Sequence, residues 1–536
     1  MTREYGTAMR TIIRNGIVVT MNRNMDVWPD GYVMFEGTKI LAAGPSCELE
    51  QAMAEHGLKR EAGKHGGEAP ELKRGAAKHG GEAPELKREA AGHSEEACAL
   101  KQAGAERGKD ESGGTCPGGG GACAGAGDTR RALDLPGMEP DFGFREIDAR
   151  RAIIMPGMVN THCHLGMIPF RGLGDDCKDR LRVFLLPMEE RAMDRDLAAA
   201  SSRYALAELL LGGVTTVMDM YYFEDEVARV MDEMGIRGIA GETVMEAATC
   251  DARTPQEAIS RGEAMIRAYS GHPRVKGCLA PHGTTTCSAA TLQRVHEVDR
   301  AHNALFTLHV AEMDYEMDQL RERFGMTPVE YLHKLGVLDK NALCAHSIRM
   351  TDGDIGLLRG AGAAVAHCIA SNTKAAKGVA PVKAMRAAGV PVGLGTDGPA
   401  SGNTLDLFTQ MRMCANFHKN ELRDRSAFPA AEIVKMATCE GAAALGLGGV
   451  TGSLEPGKEA DIVLVETDSP NMFPVYDPYA ALVYSACAAN VRDVYVAGIC
   501  LVKDKRLTSA DFGRIRGELS QKMERTAFQE MGNLLR

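Results

Sequence analysis

Apolar positions along the chain fall into two textures. At both ends they form short runs rich in β-branched residues. Between the ends, similar short runs alternate with longer helix-like segments. Over the first 45 residues the runs are "TIIRNGIVVTM", "GYVMFEG" and "KILAAG", separated by NG, DG and EG turn signals, which predicts short strands. Beyond Arg145 come "AIIMPGMVN", "VTTVMDMY", "RGIAGETV", "VKGCLAPHG", "ALFTLHVAE", "ALCAHS", "AAVAHCIA" and "PVGLGTDG". Helix-like segments such as "DLAAASSRYALAELLLG", "SAATLQRVHEVDRAHN" and "TPVEYLHKLGVL" lie between most of them. Eight strands alternating with helices predict parallel βα units, and the number suits a closed (β/α)8 barrel. Near the C-terminus "ADIVLVE" and "VRDVYVAGICLV" return to strands. The expected α/β architecture is therefore a TIM barrel over 145–448 flanked by strand groups in 1–47 and 449–510 that could pair into one small β-domain, with a C-terminal helix over 511–536.

One segment breaks the pattern. From 48 to 144 the chain is rich in Gly, Ala, Glu and Lys and poor in large apolar residues. "KHGGEAPELKR" occurs at 64–74 and again, unchanged, at 78–88. Two copies are too few for a solenoid, which needs at least three stacking repeats. Such a composition cannot bury enough surface to offset its ordering entropy, so a mostly disordered insertion is expected, with a transient helix around 85–105. Its His65, His79, His93 and three cysteines match no zinc spacing. The run "GGGGACAGAG" has no preceding strand and no Lys-Ser/Thr after it, so it is no phosphate loop. Deleting roughly residues 52–140 is expected to leave metal content and turnover nearly intact.

Composition narrows the partners. The 536 residues are 44% apolar and carry a net charge of −10, which argues against nucleic acid or an anionic membrane as the main partner. No apolar run is long enough for a membrane span, and the N-terminus lacks a secretory pattern. Fifteen cysteines without a CxxC pair predict reduced thiols and a cytoplasmic protein.

The chemistry concentrates at strand ends. In "IIMPGMVNTHCHLGM", His162 and His164 are two apart, so in a strand they project to the same side, with Cys163 facing away. His282 ends "CLAPH", His309 ends "LFTLH", His346 ends "LCAH" and Asp397 ends "VGLGTD". In a (β/α)8 barrel these ends converge on one mouth. Singly each is an ordinary structural or exposed residue; together they predict a metal centre.

The segments "MPGMVNTHCHLGM", "LHVAE", "AHCIASNTKAAKGVAPV", "GLGTDGPASGN" and "LEPGKEADIVLV", in this order, resemble the amidohydrolase superfamily. The closer similarity is to its aminohydrolase branch, which includes S-adenosylhomocysteine/5′-methylthioadenosine deaminases, guanine deaminase and chlorotriazine hydrolases. The resemblance covers about 1–47 and 145–505, the insertion departs from it, and it implies a (β/α)8 barrel with a small composite β-sandwich built from 1–47 and 449–510. It implies one divalent metal, usually zinc, held by His162, His164, His309 and Asp397, a set that Fe2+ or Mn2+ also accepts. A second metal bridged by a carboxylated lysine is not expected, because the nearest lysine, Lys276, lies six residues before His282 and too deep along its strand. The resemblance further implies that Asp397 accepts a proton from water, that His346 orients the nucleophile, and that Glu312 in "HVAE" shuttles protons and contacts the substrate. It places His282 near the substrate ring and Glu189, in "VFLLPMEERAM", on ribose hydroxyls, with Glu190 as the competing register. The arginine that adenosine-type members carry in the strand reading here "GIAGETVME" is absent. His367 is left without a role, and Lys458 is expected to be structural.

The implied activity is hydrolytic deamination of an adenosine-like purine nucleoside: 5′-methylthioadenosine, S-adenosylhomocysteine, 5′-deoxyadenosine or adenosine. The alternatives are an aminohydrolase of a free base or triazine on the same scaffold, and a non-catalytic scaffold of the same fold, which would lack part of the ligand set. The expected partner is a small-molecule substrate. Family analogy adds a homo-oligomer.

Overall fold

The computed structural model describes residues 9–58 and 144–525. All eight expected barrel strands are present: Met158–Cys163, Val214–Tyr221, Arg237–Val244, Val275–Pro281, Phe306–Val310, Ala342–His346, Ala364–His367 and Val392–Leu394. They form one eight-stranded sheet in chain order, each parallel to the next. Strands such as Val214–Tyr221 are buried along their whole length, as a sheet covered on both faces requires. At the seam between the first and eighth strands, the Thr396 amide donates to Asn160 Oδ1 at 3.0 Å and the Asp397 amide donates to the His162 carbonyl at 3.1 Å. Intervening helices start where short polar side chains cap them. Asp194, Thr254 and Ser288 accept from backbone amides, and Thr327 and Thr351 form capping boxes with Glu330 and Asp354.

The apolar run "AIIMPGMVN", expected as a single barrel strand, is divided. Ile153–Pro156 pairs antiparallel with Ile462–Val465 in the other sheet, and only Met158–Cys163 enters the barrel. Gly157 makes the crossing, where a Cβ would lie 2.0 Å from Thr215 Oγ1. Periodicity does not reveal the break, because both halves are equally buried and apolar.

The second sheet has nine strands drawn from both ends of the described chain, among them Arg10–Val19, Val27–Glu36, Lys39–Pro45, Ile462–Val465 and Val491–Val496. Val27–Glu36 and Val491–Val496 stand four places apart in strand order, which in a flat sheet is about 19 Å. Yet the rings of Phe35 and Tyr495 are centred 5.8 Å apart. The sheet therefore rolls onto itself, and Ile13, Val33, Ile40, Ile154, Ile462 and Leu464 share the core it encloses.

At the ends of the span 48–144 the described residues form regular structure. Leu49, Ala52 and Met53 of the helix Leu49–Glu55 pack with Leu58 against Ile12, Tyr32 and Met34, because together they carry enough apolar surface to dock. Phe144–Asp148 adds a strand parallel to Arg10–Val19. The repeat and the expected transient helix lie outside the described residues. Near the C-terminus the helix Phe512–Arg525 packs on Arg195–Leu211, with Arg203 bonded to Glu518 at 3.0 Å and the Tyr204 and Phe512 rings 5.2 Å apart. Among the described residues no helix is long and apolar enough to cross a membrane.

Candidate active site

Strand ends place six singled-out residues together. His162 lies in the first strand and His164 just beyond it, their ring centroids 4.8 Å apart. His309 lies 5.0 Å from His162 and 5.4 Å from His164, measured the same way. His346 ends the sixth strand, with its ring 5.4 Å from that of His309. Asp397 follows the eighth strand and approaches His164 Nε2 at 3.2 Å and His162 Nε2 at 4.0 Å through Oδ1. His282 completes the group, 4.8 Å from His309. Both His346 and Asp397 adopt left-handed backbone, at φ 67° and 60°. In a residue with a side chain this stores about 1–3 kcal/mol of strain, held by the surrounding packing.

The donor chemistry fits a cation. His164 Nδ1 faces the Met220 carbonyl, and His309 Nδ1 meets the His282 carbonyl at 2.7 Å. A carbonyl only accepts, so each Nδ1 carries a hydrogen; His309 Nε2 then presents a lone pair, and His164 Nε2 presents one once it gives up the proton it shares with Asp397. His162 is wholly buried, and neither of its ring nitrogens has a hydrogen-bond partner. A buried orphan imidazole costs about 1–3 kcal/mol, which a bound cation removes. Two donor groups, His162–His164–Asp397 and His162–His309–His346, each span no more than 4.8 Å and share His162. Cys163 belongs to neither and accepts from Thr396 Oγ1 at 3.7 Å. Lys276 is exposed on its strand.

Electrostatics separates the groups. Burial, helped by neighbouring imidazoles, drives His162 and His309 well below the ordinary histidine value, leaving them neutral. Burial also works to lower His164, but its bond to Asp397 outweighs it and holds the ring at about 9. The same bond and the surrounding imidazoles overcome burial at Asp397, keeping its carboxyl well below the usual range. His346 turns Nδ1 to Asn372 Oδ1 at 2.8 Å and Nε2 towards Glu312 and Asp397, at 3.6 and 3.9 Å.

Glu312, His282 and Glu189 line the same pocket as His164, His309, His346 and Asp397. Burial acts to raise Glu312, yet His346 and Lys377 outweigh it and hold the carboxyl at about 2. The His282 ring is pushed down to about 4 by burial and lies 3.1 Å from Thr286 Oγ1 through Nδ1. Glu189 is buried, lines the pocket and accepts from the Tyr221 hydroxyl at 2.7 Å, whereas Glu190 is exposed and does not line it. Burial raises the Glu189 carboxyl to about 7 despite the Tyr221 bond. His367 does not line the pocket.

Three lining residues escape sequence reasoning. Lys377 bonds Glu312 Oε1 at 2.5 Å from a loop after the seventh strand. Arg180 donates to the Leu173 and Ala400 carbonyls, at 2.6 and 2.9 Å, tying the segment that carries Glu189 to the loop after the eighth strand. Tyr221, the partner of Glu189, ends the second strand, and that terminal position was the one available signal.

The chain is similar to proteins of known family. A 5-methylthioadenosine/S-adenosylhomocysteine deaminase 1 of Syntrophus aciditrophicus is 37% identical over 394 residues, covering 72% of this chain and 88% of that protein. A 5′-deoxyadenosine deaminase of Methanosphaera stadtmanae is 36% identical, covering 67% of this chain and 85% of that one. Among solved structures, an adenosine deaminase from Xanthomonas campestris with bound zinc superposes with a TM-score of 0.78 at 25% identity, covering 97% of this chain and 99% of that one. Residues 153–500 match the Amidohydrolase family, and the chain belongs to it.

Proposed function

We propose that this protein is a metal-dependent hydrolase that deaminates an adenosine-like purine nucleoside and releases ammonia. The candidate substrates are 5′-methylthioadenosine, S-adenosylhomocysteine, 5′-deoxyadenosine and adenosine. The observation that carries the reading is one pocket lined by His164, His309, Asp397, the Glu312 carboxylate and the buried Glu189 carboxyl, with His162 grouped with His164 and Asp397. The names of the relatives favour nucleosides over free bases.

His162, His164, His309 and Asp397 would hold one divalent cation, zinc by its occurrence in the structural relative, with Fe2+ and Mn2+ chemically admissible. Such a cation acidifies a coordinated water and so makes a nucleophile available at neutral pH. In the proposed reaction Asp397 takes a proton from the attacking water and His346 orients it. Glu312, ionised at rest, relays the two protons the water gives up, one directly and one from Asp397, first to the purine ring nitrogen, which makes the adjacent carbon electrophilic, and then to the leaving amine, which departs as ammonia. His282, held neutral, faces the ring. Glu189 accepts from both hydroxyls of a ribose diol. Twelve described cysteines are unpaired, which supports a cytoplasmic setting.

Glu189→Ala tests the nucleoside reading. Charge-assisted bonds to the two hydroxyls are worth about 1.5–3 kcal/mol each, so kcat/KM for nucleosides falls roughly 10²–10⁴-fold. Turnover of free bases or triazines changes by less than about 3-fold. Equal losses on both substrate classes, or preferred turnover of guanine or a triazine by the wild type, would sink the reading. The same residue sets a pH dependence. Below about 7 Glu189 is protonated, and one oxygen ceases to be a pure acceptor. KM for a diol-bearing nucleoside therefore falls between pH 6 and pH 8, and in Glu189→Gln it stays flat; steady-state kinetics across that range checks this.

A further inference from the structure

Behind the pocket lies a second cluster that the reaction does not use. His367 ends the seventh barrel strand, and Cys414 and His418 sit one turn apart on the helix Leu407–Leu422. All three are buried, and none lines the substrate pocket. The two Nε2 atoms lie 3.1 Å apart. The Phe428 ring stacks on His418 with centroids 4.4 Å apart.

A hydrogen bond between two imidazoles does not account for this cluster. Burial lowers both rings, so both are neutral, and the pair shares a single hydrogen between its Nε2 atoms. Whichever ring donates, His367 Nδ1 remains buried with no partner. Such an orphan is costly, and it points to a missing electrophile or donor. The Cys414 thiol faces the same spot: one donor atom from each of the three side chains lies within 4.8 Å of the other two. Nitrogen and sulfur ligands about 2.0–2.3 Å from a tetrahedral ion stand roughly 3.3–3.7 Å from one another, so side-chain rotation of about an ångström closes the site. Cys414 and His418 are four apart in a helix, the spacing that puts two ligands on one face.

We propose that His367, Cys414 and His418 form a second metal site, which takes one zinc-like thiophilic divalent cation. The thiol loses its proton to solvent on binding, the sulfur–metal bond forms, and the two neutral imidazoles contribute lone pairs; no redox change is involved. Three protein donors leave one position on the ion open. The site's role is structural. It ties the helix after the eighth strand to the end of the seventh, beside the catalytic mouth, and it is independent of which nucleoside the pocket accepts.

The full-length protein, stripped of metal and reloaded with Co2+, provides the test. Three histidines and a carboxylate give cobalt no thiolate absorption, whereas Cys414 does. The expected result is about two cobalt ions per chain, with a thiolate-to-cobalt charge-transfer band in the near ultraviolet. Cys414→Ser removes the band and one equivalent of metal while kcat stays within about 2-fold of wild type. His418→Gln, as a second variant, also removes the band. A wild-type protein without that band, at any stoichiometry, overturns the proposal, as does a band that survives Cys414→Ser.

Discussion

His162→Leu is expected to abolish cation binding and lower turnover by about 10³-fold or more, because a hydrolytic cation supplies several kcal/mol of barrier reduction and each 1.36 kcal/mol is tenfold. The more discriminating part concerns stability. His162 is fully buried with both ring nitrogens unpartnered, so without metal it is a liability. Leucine is of similar size and brings nothing to desolvate. The metal-free variant should therefore unfold at a temperature no lower than the metal-free wild type, whereas the metal-loaded wild type exceeds both. Metal analysis, an ammonia-release assay and thermal unfolding with and without chelator measure all three. A metal-free variant several degrees less stable than the metal-free wild type would show that His162 serves packing and not coordination.

Glu312→Gln should reduce kcat by about 10²–10⁴-fold, the usual contribution of a placed proton-transfer group, with metal content unchanged. The amide keeps the shape of the carboxylate but can neither accept nor return a proton. Retained turnover in this variant would remove Glu312 from the mechanism. Lys377 gives the pair a second handle. Glu312 is held at about 2, in part by the Lys377 ammonium bonded to it. A depressed carboxyl stays ionised down to its folded pKa, so in the wild type Glu312 causes no loss of activity at ordinary acidic pH. Lys377→Met removes one opposite charge, which raises the Glu312 carboxyl. The acid limb of kcat/KM then moves upward by about 1–3 pH units, the range a neighbouring charge commands. An unshifted limb would show that the Lys377 pairing has no bearing on the shuttle.

The outline of the molecule was readable without coordinates because a parallel barrel writes itself as a repeating alternation. Each short apolar run followed by a helix is one unit, and the ends of such runs must share a mouth. His162, His309, His346 and Asp397 stood out because all occupy that one topological position. Glu189 needed more. It and Glu190 differ by about 100° of helix rotation, and only the packed helix Leu186–Ala192 buries Glu189 against Tyr221 while leaving Glu190 exposed. Gly157 shows the opposite failure: an unbroken apolar run in the sequence serves two sheets, because the closeness of Thr215 is a tertiary fact.

The order and period of the residues alone thus determined the class of fold, the strand groups at both ends of the chain, and which histidines and aspartate close barrel strands. Those features follow from local geometry repeated along the backbone. Which groups touch was decided only when the barrel closed. Lys377 reaches Glu312 across 65 positions and His367 meets His418 across 51, through space that no spacing in the sequence encodes. The Coulombic and desolvation effects that set the state of each group fall off over a few ångströms, and such distances exist only in the folded chain.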